Sequence, residues 1–322
     1  MSTTTANRQF VFGPVPSRRL GQSLGIDPIP LKTCNWNCVY CQLGRSVPLR
    51  FERKVYFPAQ AIVAEVEQFF GQPQVPALDW VTFVGSGEPT LHSEIGWLIQ
   101  RVKSLTDKPI AVITNGSLLY LPEVRRDLSQ ADAVLPSLDA GNPALYRRIN
   151  RAHPELTFER LVQGLIAFRQ EYDGQLWLEV MLIKDLNDTE PALKEIAALV
   201  EQIQPDEVHL NAPTRPPAEK WVKPTDEEGL YRAMSVLGKQ ARVVHPAQSR
   251  WKLDPKQDVV ETILEIITRH PLREEDVLTA LSDLPSSEVV AILERLEKSG
   301  KAQIIERYGT RFWCASSSRF GL

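Results

Sequence analysis

The sequence predicts an α/β protein: a partial, TIM-like (β/α)6 barrel over residues 1–248, followed by a small winged-helix-like unit over residues 249–322. Three observations carry that reading. Short apolar runs alternate with amphipathic stretches of helical period, the pattern of a parallel sheet covered by helices. About six such units fit between Leu24 and Val244, short of the eight that close a full barrel. Past a linker-like stretch from Ala247 to Lys256, which carries Trp251, the pattern changes to three short helices and a hairpin.

Taken in order, Phe10 to Phe12 and Leu24 to Ile29 read as extended segments flanking Pro14-Val15-Pro16-Ser17-Arg18-Arg19. Pro58 to Phe70 is helical, with Pro58 in a first turn and Ile62, Val66, Phe69 and Phe70 at helical spacing. The expected strands run Leu78 to Val84, Pro109 to Ile113, Ala133 to Leu138, Leu176 to Ile183, Glu207 to Asn211 and Arg242 to Val244. The helices between them run Ser93 to Leu105, Pro122 to Ser129, Phe158 to Tyr172, Pro191 to Ile203 and Glu227 to Leu237. The proline-rich stretch from Pro213 to Pro224 reads as an ordered loop or lid. Toward the C-terminus, helices are expected over Val259 to Ile267, Arg273 to Leu281 and Ser287 to Ser299. Ser286 and Ser287 sit where a cap with Glu288 would start the third. Ala302 to Arg307 and Arg311 to Cys314 then flank Gly309-Thr310 as a hairpin.

The 322 residues suffice for one large domain and a small one. Hydrophobic content of 43% and charged content of 24% are ordinary for a globular protein. A net charge of -3 gives no general pull toward nucleic acid or acidic lipid. No apolar run reaches membrane-spanning length, and Met1 to Gln9 lacks the apolar core of a signal peptide. Clustered free thiols fit a cytoplasmic setting better than a disulfide framework.

Three of the four cysteines fall within Cys34-Asn35-Trp36-Asn37-Cys38-Val39-Tyr40-Cys41. Thiolates suit iron–sulfur clusters or zinc, and spacing this tight can wrap a short loop around one metal centre. Cys314 is too far along the chain to be a near fourth ligand. A cubane held by three cysteines would leave one iron open for a small molecule. The alternatives are a zinc loop completed by another residue, or three unrelated buried cysteines.

The run resembles the signature of the radical S-adenosylmethionine (radical SAM) superfamily, including Tyr40 just before the last cysteine. The wider stretch from Gly13-Pro14-Val15-Pro16-Ser17-Arg18-Arg19-Leu20-Gly21 through Gly44 is similar to Fe–S oxidoreductases related to tRNA 4-demethylwyosine synthases. The resemblance implies a [4Fe–4S] cluster on Cys34, Cys38 and Cys41, and SAM chelated to the open iron. It further implies reductive cleavage of SAM to methionine and a 5′-deoxyadenosyl radical that abstracts hydrogen from a substrate. A reductant such as flavodoxin or ferredoxin is the implied partner. Wyosine synthases use a second cluster on further cysteines, and this sequence has no such set. The substrate is therefore open among tRNA, a protein, a peptide and a small molecule.

The polar motifs sit at the C-terminal ends of expected strands, where parallel α/β barrels gather their active sites. Gly85-Ser86-Gly87-Glu88 resembles the superfamily's turn for the SAM amino group. Glycines let the backbone approach closely, and carbonyls or Glu88 accept from an ammonium. Thr114, Asn115, Ser137 and Asp139 are candidates for SAM's ribose and carboxylate, or alternatively cap or turn residues. Arg18, Glu179, Lys184, Asn211 and Arg215 are the candidate substrate contacts, with an internal ion pair the alternative for Glu179. His92 reads as a surface or capping residue.

A different class of function is a DNA-binding iron–sulfur regulator that reads DNA through the C-terminal helices. The third of those helices carries Glu288, Glu294 and Glu297 against Arg295 and Lys298, where a groove reader should be basic. Arg307, Arg311 and Arg319 keep RNA contact open.

Overall fold

The computed structural model describes residues 9–244, 259–281 and 284–320. The linker expected over 247–256 and the boundary at 248/249 lie outside the described residues. β1 (Val11–Ser17) and β2 (Gly21–Ile26) form an antiparallel hairpin. From β2 onward the strands are parallel: β3 (Trp80–Phe83), β4 (Ile110–Thr114), β5 (Ala133–Pro136), β6 (Gln175–Met181), β7 (Glu207–Asn211) and β8 (Ala241–Val243). They lie side by side in chain order, with β1 and β8 at the edges, so among the described residues the eight-stranded sheet does not close. Helices α1 (Ala59–Phe70), α2 (Ile95–Lys103), α3 (Pro122–Leu128), α4 (Pro143–Ile149), α5 (Phe158–Glu171), α6 (Glu190–Ile203) and α7 (Glu227–Leu237) supply the six crossovers from β2 to β8.

Two elements differ from expectation. β1 runs through Pro14 and Pro16, which cannot donate to a ladder and so read as a break. As an edge strand it tolerates them. α4 is only seven residues, too short to show a helical period. It starts on Asn142, whose Oδ1 accepts from the Leu145 amide, with Pro143 at the first position.

Alternation along the strands separates two apolar faces. Leu24, Ile26, Val81, Phe83, Val112, Leu178 and Leu210 pack against the helices and are fully buried. Each such side chain contributes about 1.5–3 kcal/mol of burial. The other face carries a smaller set, Leu20, Ala111, Ala133 and Leu135 with Trp80 and Trp177 against them. That face also carries Ser23 and Glu179, so it is where polar chemistry is tolerated.

The remainder comprises α8 (Val259–Arg269), β9 (Leu272–Arg273), α9 (Glu274–Ala280), α10 (Ser286–Lys298), β10 (Ala302–Arg307) and β11 (Thr310–Ala315). Its three-stranded antiparallel sheet has the order β10-β11-β9, so the expected hairpin gains a two-residue third strand too short to read from sequence. Ile263, Ile267, Val289, Leu293, Leu296 and Trp313 form its own core. The expected serine cap of α10 is absent: Pro285 precedes the helix and Ser286 is its first residue, with no side-chain cap bond.

This C-terminal unit packs on the cysteine loop. The Arg45 amide donates to Arg319 O at 2.6 Å, Gln42 Nε2 donates to Arg269 O at 3.1 Å, and Tyr308 Oη donates to Val222 O at 3.1 Å. Gly44 has φ +76°, and a Cβ there would stand 2.0 Å from Arg319 O, so the seam requires glycine. Among the described residues no helix is long and apolar enough to cross a membrane.

Candidate active site

Cys34, Cys38 and Cys41 are free, half-buried thiols in the long connection between β2 and α1. Trp36 and Val39 anchor that loop in the apolar interior. Backbone bonds fix its path: the Asn37 amide to Asn150 O at 3.0 Å, Val39 to Ile149 O at 2.9 Å, and Glu219 to Val39 O at 3.0 Å. Burial alone would push the Glu219 carboxyl up, but the Arg45 and Arg151 guanidiniums hold it below the usual range, pinning the 213–224 loop beside the cysteines.

Each sulfur meets a side-chain nitrogen donor, and Cys34 Sγ also accepts from the Trp36 amide at 3.4 Å. Asn115 Nδ2 is 3.9 Å from Cys34 Sγ, Asn150 Nδ2 is 3.9 Å from Cys38 Sγ, and Lys32 Nζ is 3.7 Å from Cys41 Sγ. Lys32 also donates to the Gly44 carbonyl. Burial, then the Glu88 charge, pushes the Cys34 thiol up to about 12. A bound cation would have to displace that proton.

The turn after β3 docks directly on this loop. The Lys32 amide donates to Ser86 O at 2.6 Å and the Glu88 amide to Thr33 O at 2.9 Å. Ser86 Oγ donates to Asp27 Oδ2 at 2.6 Å, a buried carboxylate that sequence reading missed. Gly87 is packed so closely that a Cβ would lie 1.9 Å from Thr33 O, which is backbone and cannot swing aside. Gly87→Ala should therefore cost about 1–3 kcal/mol, the usual range for overpacking. Thermal unfolding of the metal-free chain, compared with the unmodified protein, measures it.

Glu88 is 1% exposed and already holds four donors of the chain. Its Oε1 accepts from the Thr90 amide, Thr90 Oγ1 and Thr114 Oγ1, and its Oε2 accepts from the Asn115 amide at 2.7 Å. The expectation that Glu88 receives an ammonium thus meets a carboxylate that clamps β3 to β4. Thr114 Oγ1 and Asn115 are committed in the same way. Asn115 Nδ2 donates to Asn35 Oδ1 at 2.7 Å, and Asn35 Nδ2 in turn to Ser117 Oγ at 2.9 Å.

Asp139, 2% exposed, has the matching role at the end of β5. It accepts from Tyr40 Oη at 2.6 Å, Asn150 Nδ2 at 2.6 Å and the Met181 amide at 2.9 Å. Burial raises its carboxyl to about 6 against those bonds. Asn187, also unforeseen, ties the Asp139 carbonyl to β6. Ser137 bridges Glu179 through the backbone. His92, expected at the surface, is fully buried: its ring bonds Phe57 O and accepts from the Glu94 amide, so only the capping half of the reading holds. These asparagines and aspartates look like turn residues in the sequence, and only their partners across the fold distinguish them.

The five substrate candidates do not share one place. Lys184 is exposed and pairs with Asp226 at 2.8 Å. Glu179 is an internal ion pair, 2.8 Å from Arg19 Nη1, which also donates to Asn211 Oδ1 at 3.3 Å. Arg215 donates to Gln42 Oε1 at 2.8 Å and lies 3.2 Å from His270 Nδ1. Arg18 is close enough to depress it. A cavity of about 60 Å3 is lined by Phe12, Asp27, Gln42, Arg269 and His270 on one hand and by Gly85 and Ser86 of the glycine turn on the other.

A family profile described as Radical SAM superfamily matches residues 29–197, more than half of the chain, and takes in the cysteine loop, the glycine turn and β3 to β6. The chain belongs to the radical SAM superfamily. UPF0026 protein MJ1312 of Methanocaldococcus jannaschii is 35% identical over 94% of this radical SAM chain and 95% of its own. A Brachyspira hyodysenteriae protein named GTPase Obg is 38% identical over 91% of the chain. The chain spans only 43% of that longer protein, to which the name belongs. A radical SAM methyltransferase from Sphaerobacter thermophilus shares the fold, with TM-score 0.53 and 20% identity over 69% of this chain and 66% of its own.

The residues present fit the group the superfamily implies. Among the described residues no three metal-ligating side chains converge on a single ion. A cubane asks less, because each cysteine binds a different iron. Three soft donors with an N–H group near each sulfur are the surroundings such a cluster uses to set its potential.

Proposed function

We propose that this protein is a SAM-cleaving radical enzyme in which Cys34, Cys38 and Cys41 carry a [4Fe–4S] cluster with one iron open to SAM. When bound and reduced, the cluster supplies the electron that breaks the sulfur–carbon bond of SAM, giving methionine and a 5′-deoxyadenosyl radical. The chain's own work is to hold and shield. Asn115, Asn150 and Lys32 orient and neutralise the thiolates, and the Gly85-Ser86-Gly87 backbone receives the cosubstrate's amino group. Glu88 and Asp139 fix the strand ends around it, with Tyr40 held by Asp139. Ser137 and Asn115, both half-buried, border the remaining space, and Thr114 is buried with its hydroxyl on Glu88. A small substrate, a peptide, a protein or a tRNA then meets the radical away from water.

The observation that carries this reading is the three-thiol loop, with a donor beside each sulfur, pinned by backbone bonds to a glycine turn at the next strand end. Anaerobic reconstitution followed by dithionite and SAM tests it. Formation of 5′-deoxyadenosine and methionine is expected. A protein with a full complement of iron and sulfide that leaves SAM intact would overturn it. Residues 249–322 we read as a winged-helix-like unit, on the order α8, β9, α9, α10, β10, β11 and a three-stranded sheet. Glu288, Glu294 and Glu297 are exposed on α10 beside Arg295 and Lys298, which does not favour groove reading. Its contacts at Gln42, Gly44 and Arg45 favour a role in shielding the cysteine loop.

A further inference from the structure

Four guanidiniums and a histidine meet beside the site. Arg18 and Arg19 come from the β1–β2 turn, Arg215 from the loop after β7, and Arg269 and His270 from the end of α8. Two of the guanidiniums have counter-ions: Arg19 pairs with Glu179 at 2.8 Å and Arg269 with Asp27 at 3.7 Å. Among the described residues Arg215 has only neutral hydrogen-bond partners, Gln42 Oε1 and the His270 ring. Burial, then Arg215, Arg269 and Arg18, holds His270 well below its ordinary range, so its Nδ1 is an acceptor and adds no charge. Arg18 makes no hydrogen bond or ion pair with any described residue. Glu179, whose carboxylate already pairs with Arg19, bears on Arg18, and Asp276 bears on Arg215 without an ion pair.

Burial and Arg18 together bring Arg215 down to about 10, the mark of like charges held close with water partly removed. Such a pair costs stability unless an anion joins it. Guanidiniums present fork-shaped donors that match carboxylate and phosphate oxygens. Gln42 and His270, the two partners of Arg215, line a cavity together with Gly85 and Ser86 of the glycine turn.

We propose that Arg18 and Arg215 are the seat for a doubly charged oxyanion of the substrate, a phosphate monoester or a dicarboxylate. The assignment rests on the reading of the strand ends as the active site and names the substrate's chemistry there. The probes are inorganic phosphate and, separately, malonate. Each is titrated calorimetrically into the anaerobically reconstituted full chain with SAM saturating, at low ionic strength. At least one of the probes should bind at one per chain. Arg18→Gln and Arg215→Gln should each weaken it about ten- to hundredfold, the worth of a charge-assisted hydrogen bond. Arg18→Lys should recover some of the loss. Preference for phosphate identifies a phosphoryl group, and preference for malonate a dicarboxylate.

Arg18 makes no hydrogen bond or ion pair with any described residue, so Arg18→Gln should not lower the unfolding temperature, and relief of the repulsion with Arg215 should raise it slightly. Absence of binding by either probe to the unmodified chain overturns the proposal. So does equal binding by Arg18→Gln. A parallel fall in SAM affinity in that variant also overturns it, since the pair would then hold the cosubstrate's carboxylate. Binding of a tRNA that depends on both arginines, with neither small probe bound, overturns it as well. If the arginine-dependent anion site is found but 5′-deoxyadenosine is not formed, the seat stands and the SAM-cleaving reading fails. The reverse result separates them in the other direction.

Discussion

Cys38→Ala, purified and reconstituted anaerobically, should lose the brown chromophore and the reductive cleavage of SAM together, both falling to background. The thiol sits in the middle of the loop, between Asn37 and Val39, whose amides are tied to Asn150 and Ile149 carbonyls. An alanine there leaves that backbone in place and removes only a sulfur. Loss of iron would then report ligation, not misfolding, and unchanged unfolding of the metal-free chain would confirm the distinction. Cys314→Ala is the internal control. That thiol is fully buried in β11, with burial pushing it up to about 12, and should leave iron and sulfide contents unchanged. Asn150→Ala should fall between the two. It removes the donor near Cys38 Sγ and the tie to Asp139 but leaves all three sulfurs. Outer partners of this kind are worth about 10–100-fold in metal affinity. Equal chromophore in the Cys38 and Cys314 variants would remove the basis for a three-cysteine cluster.

Much of this site could be read from the chain itself, and what could not be read has a common physical cause. The cysteine spacing and Gly85-Ser86-Gly87-Glu88 are local patterns, and the strands that present them are continuous apolar runs whose length and period are local too. The roles of Glu88 and Asp139 are not local. Each looks in sequence like an acid at the open end of a strand, free to meet a ligand. In the fold each is nearly inaccessible and collects donors from residues 2 to 27 and 11 to 99 positions away respectively. Asp27, Asn35 and Asn187 were missed for the same reason: a short polar side chain in a loop carries no periodic signal. Arg18 is the opposite case. Its residue type makes it a candidate for an oxyanion in the sequence, but that it has no counter-ion among the described residues, and that Arg215, more than 190 residues further on, bears on it, only the fold shows.

Glu88→Ala should lower the unfolding temperature of the metal-free barrel by roughly 10 °C. The carboxylate is an acceptor for four N–H and O–H groups that have little other company. Deleting it strands the Thr90 and Asn115 amides and two hydroxyls in a dry place. Removing one partner from a buried charged network typically costs about 3–5 kcal/mol, and each kcal/mol is worth about 2–4 °C in a domain of this size. Glu88→Gln should cost less, about 1–3 kcal/mol, because the amide oxygen still accepts while its NH2 group opposes one former donor. The two variants also differ from the parent in pH response. Burial raises Glu88 above its ordinary value despite its donors. In the window just above that ordinary value, the native chain binds more protons than the unfolded one. Its contribution is present below the window and declines as pH rises through the raised value. Glu88→Gln has no proton to exchange, so its stability should be flatter across that window. A barrel that unfolds at the same temperature with alanine at residue 88 would mean that β3 and β4 are joined by something other than this carboxylate. The glycine turn would then owe its position against the cysteine loop to the backbone bonds at Lys32 and Thr33 and to the Ser86–Asp27 bond.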